Sequence, residues 1–199
     1  MPATTLDATT ALVLIDLQKG IAGLPCAPVP PAEVIERGAR LAAAFRARGL
    51  PVVLVNVTGG APGRTEAARH TGNPPADWAE LVPELDRQPG DIGVTKQQWG
   101  AFHGTNLDLE LRRRGVTQVV LGGIATSIGV ESTARAAHEH GYHVTLATDA
   151  MTDLDAEAHR NSLERIFPRL GETGTTEAIL ALLGRGPTAR PRDDGSAKA

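Results

Sequence analysis

Three short segments carry the side chains that could do chemistry. Asp16 ends an apolar run at residues 11–15, and Lys96 ends a second strand-like run at residues 92–95. The glycine-rich turn at residues 122–129 leads from an apolar run into a helical pattern. A carboxyl group with a raised pKa can serve as a general acid, and a nearby ammonium group can hold an anionic substrate. The backbone amides that open a helix can bind an oxyanion.

Each of these features also has a purely structural explanation. Asp16 could accept hydrogen bonds in the turn that follows its strand, and Lys96 could be a solvated surface lysine. Thr126 or Ser127 could cap the helix that begins in the turn. Taken singly, the three segments leave a structural and a functional role open.

The elements that must position these segments alternate between strand and helix along the chain. Strands are predicted at residues 11–15, 51–57, 92–95, 116–121, 143–147 and 172–173. Helices are predicted at residues 31–48, 107–114, 127–140, 155–170 and 175–183. This alternation predicts a three-layer, Rossmann-like α/β fold, in which a doubly wound, mainly parallel sheet is covered by helices on both faces. Ligands bind beyond the carboxyl ends of such strands, where Asp16 and Lys96 are expected to meet.

Composition and charge exclude several classes of protein. A chain of 199 residues that is 41% hydrophobic fits one compact domain, predicted at residues 1–183, with a flexible tail at 184–199. A formal net charge of −3 argues against a nucleic-acid surface, and apolar runs no longer than strands argue against a membrane partner. The single cysteine, Cys26, excludes an internal disulfide and a multi-cysteine metal site. The start of the sequence shows no signal-peptide pattern, so a cytoplasmic location is expected.

Taken in order, the three segments resemble the motifs of the isochorismatase-like hydrolases, also called the cysteine hydrolase family. The first match is LIDLQ at residues 14–18, and the second is VTK at 94–96, followed by Ala101 and Phe102. The third is the turn and helix at residues 123–134. The resemblance spans residues 11–183, and the ordered trio is far more specific than any one segment.

Gly129 stands where most members of that family have a nucleophilic cysteine. The resemblance implies that those members form a thioester, with Asp and Lys activating the thiol. Glycine offers no nucleophile, so this covalent route is closed at position 129. The true isochorismatases share the glycine, and their lysine motif continues to Ala-Phe-His, as residues 101–103 do here. Those enzymes cleave a vinyl ether by non-covalent acid catalysis.

The resemblance therefore implies a hydrolase of a small polar metabolite, with Asp16, Lys96 and Gly129 at the catalytic centre. The alternative is a catalytically impaired relative that binds a small molecule or regulates. The Asp-x-His metal motif of nicotinamidases is missing after the second strand, and the six histidines are scattered, so no metal and no cofactor are expected. The resemblance also implies a homo-oligomer, with contacts expected from residues 127–140 and the segment after Asp149.

The substrate chamber is expected to combine motif residues with the long Gly- and Pro-rich excursion at residues 58–90, which carries one predicted helical turn at 78–85. Trp78, with other aromatic side chains, is expected to form its walls, although Trp99 could equally fill a gap under a helix. An enolpyruvyl substrate would need cations for two carboxylates, and Arg64 and Arg69 are the loop arginines that could hold the second one. The predicted substrate-binding residues are Trp99, Phe102, Ala125, Thr126 and Gln18.

Two geometric expectations test this interpretation. The carboxylate of Asp16 and the ammonium group of Lys96 should lie within ion-pair distance, since a separation beyond about 10 Å would exceed one screening length. The family often holds the peptide bond that corresponds to Ile124–Ala125 in the cis form. Such a bond is expected here if the turn keeps the family geometry.

Overall fold

Six strands form one sheet in a computed structural model that describes residues 2–66 and 74–185. The strands are β1 (Thr10–Ile15), β2 (Val52–Val57), β3 (Ile92–Lys96), β4 (Gln118–Ile124), β5 (His143–Thr152) and β6 (Glu172–Gly174). Their order is β3-β2-β1-β4-β5-β6, and every neighbouring pair is parallel. The predicted α/β fold with a parallel sheet is confirmed.

Helices cover both faces of this sheet. The α-helices are α1 (Lys19–Ala22), α2 (Pro31–Ala47), α3 (Leu107–Arg113), α4 (Glu131–Glu139), α5 (Ala156–Asn161), α6 (Phe167–Leu170) and α7 (Thr176–Arg185). Two π-helical turns, Thr126–Val130 and Ser162–Ile166, precede α4 and α6, and Pro83–Leu85 is a 3₁₀ turn. Among the described residues, no helix is both long and apolar enough to cross a membrane.

The side chains of β1 point alternately to the two faces of the sheet, and each face has its own hydrophobic core. Ala11, Val13 and Ile15 pack with residues of α3, α4 and α6, whereas Leu12 and Leu14 pack with residues of α2 and α7. Successive side chains of a strand point to opposite faces, so a strand buried on both faces must be apolar throughout. The continuous apolar sequence of β1 is explained by its place in the middle of the sheet.

The strand order reverses between β1 and β4. The chain moves outward from β1 to β2 and β3, then crosses back to β4 and moves outward on the other side. In open α/β sheets this reversal opens a crevice at the carboxyl ends of the two central strands. Gly123, near the end of β4, has a φ of 124°, and a Cβ there would lie 2.1 Å from the carbonyl oxygen of Ile15. Only glycine lets β4 lie this close to the end of β1.

Several boundaries differ from the sequence-based prediction. β5 continues to Thr152, five residues beyond its predicted end, because its register with β4 shifts and pairing resumes at Met151. The predicted helix at 127–140 begins with a π-helical turn, and the one at 155–170 is interrupted by another. The last helix runs to Arg185, two residues into the predicted tail, and residues 186–199 lie outside the described part of the chain.

Candidate active site

A buried ion pair lies at the carboxyl edge of the sheet. Asp16 directly follows β1, and Lys96 is the last residue of β3, so the lysine side chain reaches past the end of β2. Its Nζ donates a hydrogen bond of 2.7 Å to Oδ2 of Asp16 and one of 3.2 Å to the carbonyl oxygen of Gln98. Both residues are buried, at 5% and 2% exposed. The expected close approach of the two side chains is confirmed.

The second carboxylate oxygen of Asp16 is a buried polar atom with no hydrogen-bond partner among the described residues. Burial raises the pKa of Asp16 to about 6, outweighing the attraction of Lys96, which acts to lower it. The residue also has a φ of 53°, a left-handed conformation that aspartate tolerates better than most residues. Asp16 therefore combines a raised pKa, a strained backbone and an oxygen that can bond to a ligand, which is typical of a functional site.

Gly129 lies against this ion pair, in the π-helical turn Thr126–Val130. A Cβ at this position would lie 3.4 Å from Oδ2 of Asp16 and only 2.8 Å from the Cγ2 methyl group of Ile15. The backbone of Gly129 is not among those with positive φ, so its conformation does not itself require glycine. Packing against Ile15 is what keeps position 129 small.

The turn before Gly129 has a defined backbone. The peptide bond between Ile124 and Ala125 is cis, as expected. The carbonyl oxygen of Ala125 accepts hydrogen bonds from the amides of Ile128 and Val130, at 3.2 and 3.1 Å. These two amides are therefore committed to the turn and do not point to a ligand.

A cavity of about 180 Å³ opens over Asp16, Lys96 and Gly129. Five of the site residues predicted from the sequence line this cavity: the three just named, together with Trp99 and Ala125. Trp99 is 64% exposed, so it stands at the mouth and does not fill a gap in the core. The remaining lining residues are Ile21, Leu24, Val57, Gly59, Gly60, Gln98, Ile124, Ile128 and Leu154.

Gln18 was expected to bind substrate, and the structure corrects this. Its side chain is fully buried, and its Oε1 accepts a hydrogen bond from the amide of Val57 at 2.8 Å. Its Nε2 donates to the carbonyl oxygens of Val57 and Trp78, both at 3.1 Å. Gln18 thus fixes the end of β2 and the following excursion, and its amide group is saturated by protein atoms.

Three further expectations for the chamber are also corrected, because the side chains pack elsewhere. Phe102 is buried against His140, with ring centroids 5.1 Å apart. Thr126 is fully buried, and its Oγ1 lies 2.8 Å from Nδ1 of His159. Trp78 covers Gly20, where a Cβ would come within 1.9 Å of the indole. None of the three is among the described residues that line the cavity. Of the two loop arginines, Arg64 is exposed, and Arg69 lies outside the described residues.

Asp153 is a site-forming residue that the sequence did not reveal. Its Oδ2 accepts from the amide of Ser127 at 2.6 Å, and its Oδ1 accepts from the amide of Leu154 at 2.7 Å. Its backbone exchanges two hydrogen bonds with Ala27. Asp153 therefore connects the π-helical turn, the cavity-lining residue Leu154 and the loop after α1. Asp153 directly follows β5, so a search for polar residues at strand ends could have found it, but β5 was predicted to end too early.

Asp149 lies two residues after the predicted end of β5 and has a different role. Its Oδ1 accepts from the amide and the hydroxyl group of Thr176, at 2.6 and 2.9 Å. It therefore caps the start of α7 and is not among the described residues that line the cavity. No group of three or more His, Cys, Asp or Glu within the described ranges is arranged to hold a metal ion.

Comparison with known proteins decides the family. Residues 10–178 match the model of the isochorismatase domain. The chain belongs to the isochorismatase family. The isochorismatase family protein YwoC of Bacillus subtilis is 49% identical over 178 residues, which cover 86% of this chain and 92% of YwoC. Ureidoacrylate amidohydrolase RutB of Methylobacterium radiotolerans is 33% identical, over 94% of this chain and 85% of RutB.

A solved structure of an isochorismatase family protein from Burkholderia thailandensis shows the same fold. It is 45% identical, with a TM-score of 0.87 over 90% of this chain and 98% of that one. The resemblance noted from the three motifs is thus confirmed, and the protein is an isochorismatase family hydrolase.

Proposed function

We propose that this hydrolase cleaves its substrate by non-covalent acid catalysis, with Asp16 as proton donor and Lys96 as its partner. The observation that carries the proposal is the pairing of Gly129 with the protonatable Asp16. Among the described residues that line the cavity there is no Cys, Ser or Thr. Cys26 is also outside that lining, and burial raises the pKa of its thiol, which disfavours the thiolate. Among these described lining residues, Asp16 is the only one whose side chain could form an ester intermediate with the substrate.

The reaction that this arrangement supports is hydrolysis of a vinyl ether or a related enol-type C–O or C–N bond. Protonated Asp16 transfers its proton to the terminal carbon of the double bond, leaving a cation stabilised by the adjacent oxygen or nitrogen. Water adds to that cation and returns a proton to the Asp16 carboxylate. The adduct then separates into a ketone and an alcohol or amine. A pKa of about 6 keeps part of the acid form present near neutral pH.

Amide hydrolysis is the second candidate, since RutB of Methylobacterium radiotolerans is named for an amidohydrolase activity. In this cavity the attacking group would have to be water, with ionised Asp16 as the base. The two reactions therefore require opposite protonation states of Asp16, and their pH profiles slope in opposite directions. The third candidate is a protein that binds a small molecule or regulates without turnover, and the experiment below would show it by the absence of any product. The homo-oligomer and the cytoplasmic location stay predictions.

The decisive experiment incubates the protein with isochorismate, ureidoacrylate and small amides and follows products by mass spectrometry. We expect cleavage of an enol-type bond, a rate that falls as pH rises above about 6, and no adduct on the quenched protein. Asp16→Asn should lower kcat by about 10²- to 10⁴-fold. Asp86→Asn is the matched control, because exposed Asp86 has the same left-handed backbone, with a φ of 44°. A covalent adduct, or an Asp16→Asn variant with full activity, would contradict the proposal.

A further inference from the structure

We propose that the cavity selects small ligands that carry one carboxylate on an apolar body, and that such a ligand binds together with a proton on Asp16. The inference rests on the proposed use of this site and names the class of molecule that it takes. It predicts weak binding of dicarboxylates such as isochorismate, so ureidoacrylate, which has one carboxylate and a C–N bond on a double bond, is the enol-type probe of the panel that fits. Three observations on the described residues support it: one cation lines the cavity, one oxygen of Asp16 has no partner among them, and the walls are apolar.

Lys96 is the only cation among the described residues that line the cavity. Two of its three N–H groups are directed to Asp16 and to the carbonyl oxygen of Gln98, which leaves one for a ligand. The amide group of Gln98 is itself engaged, since its Nε2 donates to Gly100 and its Oε1 accepts from Gln97. The lining therefore offers one strong position for a carboxylate, beside Lys96.

A carboxylate bound at that position would lie next to Asp16. Two carboxylates that share one small buried site cannot both be ionised, because their repulsion is only weakly screened there. A proton on Asp16 removes the repulsion and turns Oδ1, the oxygen without a partner in the described part of the chain, into a donor toward the ligand. Lys96 is the one charged group that acts on Asp16 among the described residues; the lining contributed by α1, residues 59–60, the π-helical turn and Leu154 holds no other titratable group.

The rest of the lining is unsuited to a second charge. Its side chains beyond the polar end are apolar, and burying a carboxylate among them without a partner is strongly unfavourable. The cavity volume of about 180 Å³ also limits the ligand to a small body. A second carboxylate would have to reach a cation outside the lining, which is the role that Arg64 or Arg69 would have to play. The apolar residues are Ile21, Leu24, Val57, Trp99, Ile124, Ile128 and Leu154.

The test measures binding of two matched pairs of probes, benzoate with isophthalate and crotonate with fumarate, by isothermal titration calorimetry. Each monocarboxylate should bind at least 10-fold more tightly than its dicarboxylate. If Asp16 must be protonated and its pKa is about 6, affinity should fall roughly 20-fold between pH 5.5 and 7.5. Titrations in buffers of different ionisation enthalpy should show uptake of about one proton per ligand at pH 7.5.

Variants separate the contributions of the two side chains. Lys96→Met should abolish monocarboxylate binding, whereas Lys19→Met, at an exposed lysine, should leave it unchanged. Asp16→Asn should bind the monocarboxylates with little pH dependence, since the amide group is neutral at every pH. Comparable binding of the dicarboxylates would overturn the proposal, and its loss in Arg64→Ala or Arg69→Ala would identify the second cation.

Failure of both monocarboxylates to bind at millimolar concentration would also overturn the proposal. These outcomes are distinct from failure of the acid mechanism. A covalent adduct or an active Asp16→Asn enzyme would contradict that mechanism without changing the order of the probe affinities.

Discussion

β3 has an ion pair at each end, and the two pairs differ in how the carboxylate is used. At the amino end, Asp91 directly precedes the strand and pairs with Arg46 of α2. Nε of Arg46 donates to Oδ1 at 3.0 Å, and one terminal nitrogen donates to Oδ2 at 2.7 Å. The amide of Gln88 also donates to Oδ2, at 2.8 Å. Both oxygens of Asp91 therefore have protein donors.

At the carboxyl end, Asp16 has one oxygen bonded to Lys96 and one with no partner among the described residues. A carboxylate whose two oxygens both have protein donors is typical of an ion pair that holds elements together. One that lacks such a donor costs stability, and it is retained where a ligand or a proton completes it. The comparison assigns the amino end of β3 to the fold and its carboxyl end to function.

The largest expected effect is at the structural end. Arg46→Met leaves the carboxylate of Asp91 buried without its partner and should lower the free energy of unfolding by about 3–5 kcal/mol. Lys96→Met should cost less, because Asp16 already has a raised pKa and can become neutral. Urea denaturation at pH 7 measures both. A larger loss in Lys96→Met than in Arg46→Met would contradict the division between the two ends.

The next effect is the pH dependence of stability at the functional end. A folded-state pKa of about 6 against an unfolded value near 3.8 means that Asp16 destabilises the fold as pH rises through this interval. The stability of Asp16→Asn relative to the parent should therefore increase by roughly 2 kcal/mol between about pH 4 and pH 7. Asp86→Asn controls for the same chemical change at a left-handed position. A difference that stays constant across this interval would mean that the pKa of Asp16 is not raised.

The smallest effect concerns the packing of Gly129 against the ion pair. Gly129→Ala places a methyl group 2.8 Å from Cγ2 of Ile15, and should cost about 1–3 kcal/mol. Ile15→Leu removes the branch at Cβ, so the double variant should recover part of the loss. Gly23→Ala is the control, because its Cβ would meet only an ordinary contact of 3.6 Å. Equal stability of Gly129→Ala and Gly23→Ala would show that position 129 is not confined by Ile15.

The sequence by itself determined the sheet and the ion pair of the site. A run that is apolar at every position, as in β1, is typical of a central strand of a parallel sheet, and a polar residue that ends any strand of such a sheet lies at its carboxyl edge. This strand-end rule places Asp16 and Lys96 at the same edge without any knowledge of their contacts. Asp153 follows from it too, once the true end of β5 is known, but a register shift between neighbouring strands leaves no local pattern in the sequence.

Only the tertiary structure decided which neighbours of the motifs face the cavity. Gln18 and Thr126 have side chains suited to binding a ligand, yet both bond to groups far away in the sequence. Gln18 bonds to the backbone of Val57, and Thr126 bonds to the ring of His159. The same holds for position 129, where the requirement for glycine comes from the Cγ2 methyl group of Ile15. Local sequence determines the strand or turn on which a residue lies. The direction of its side chain and its bonding partners depend on packing between elements that are far apart in the chain.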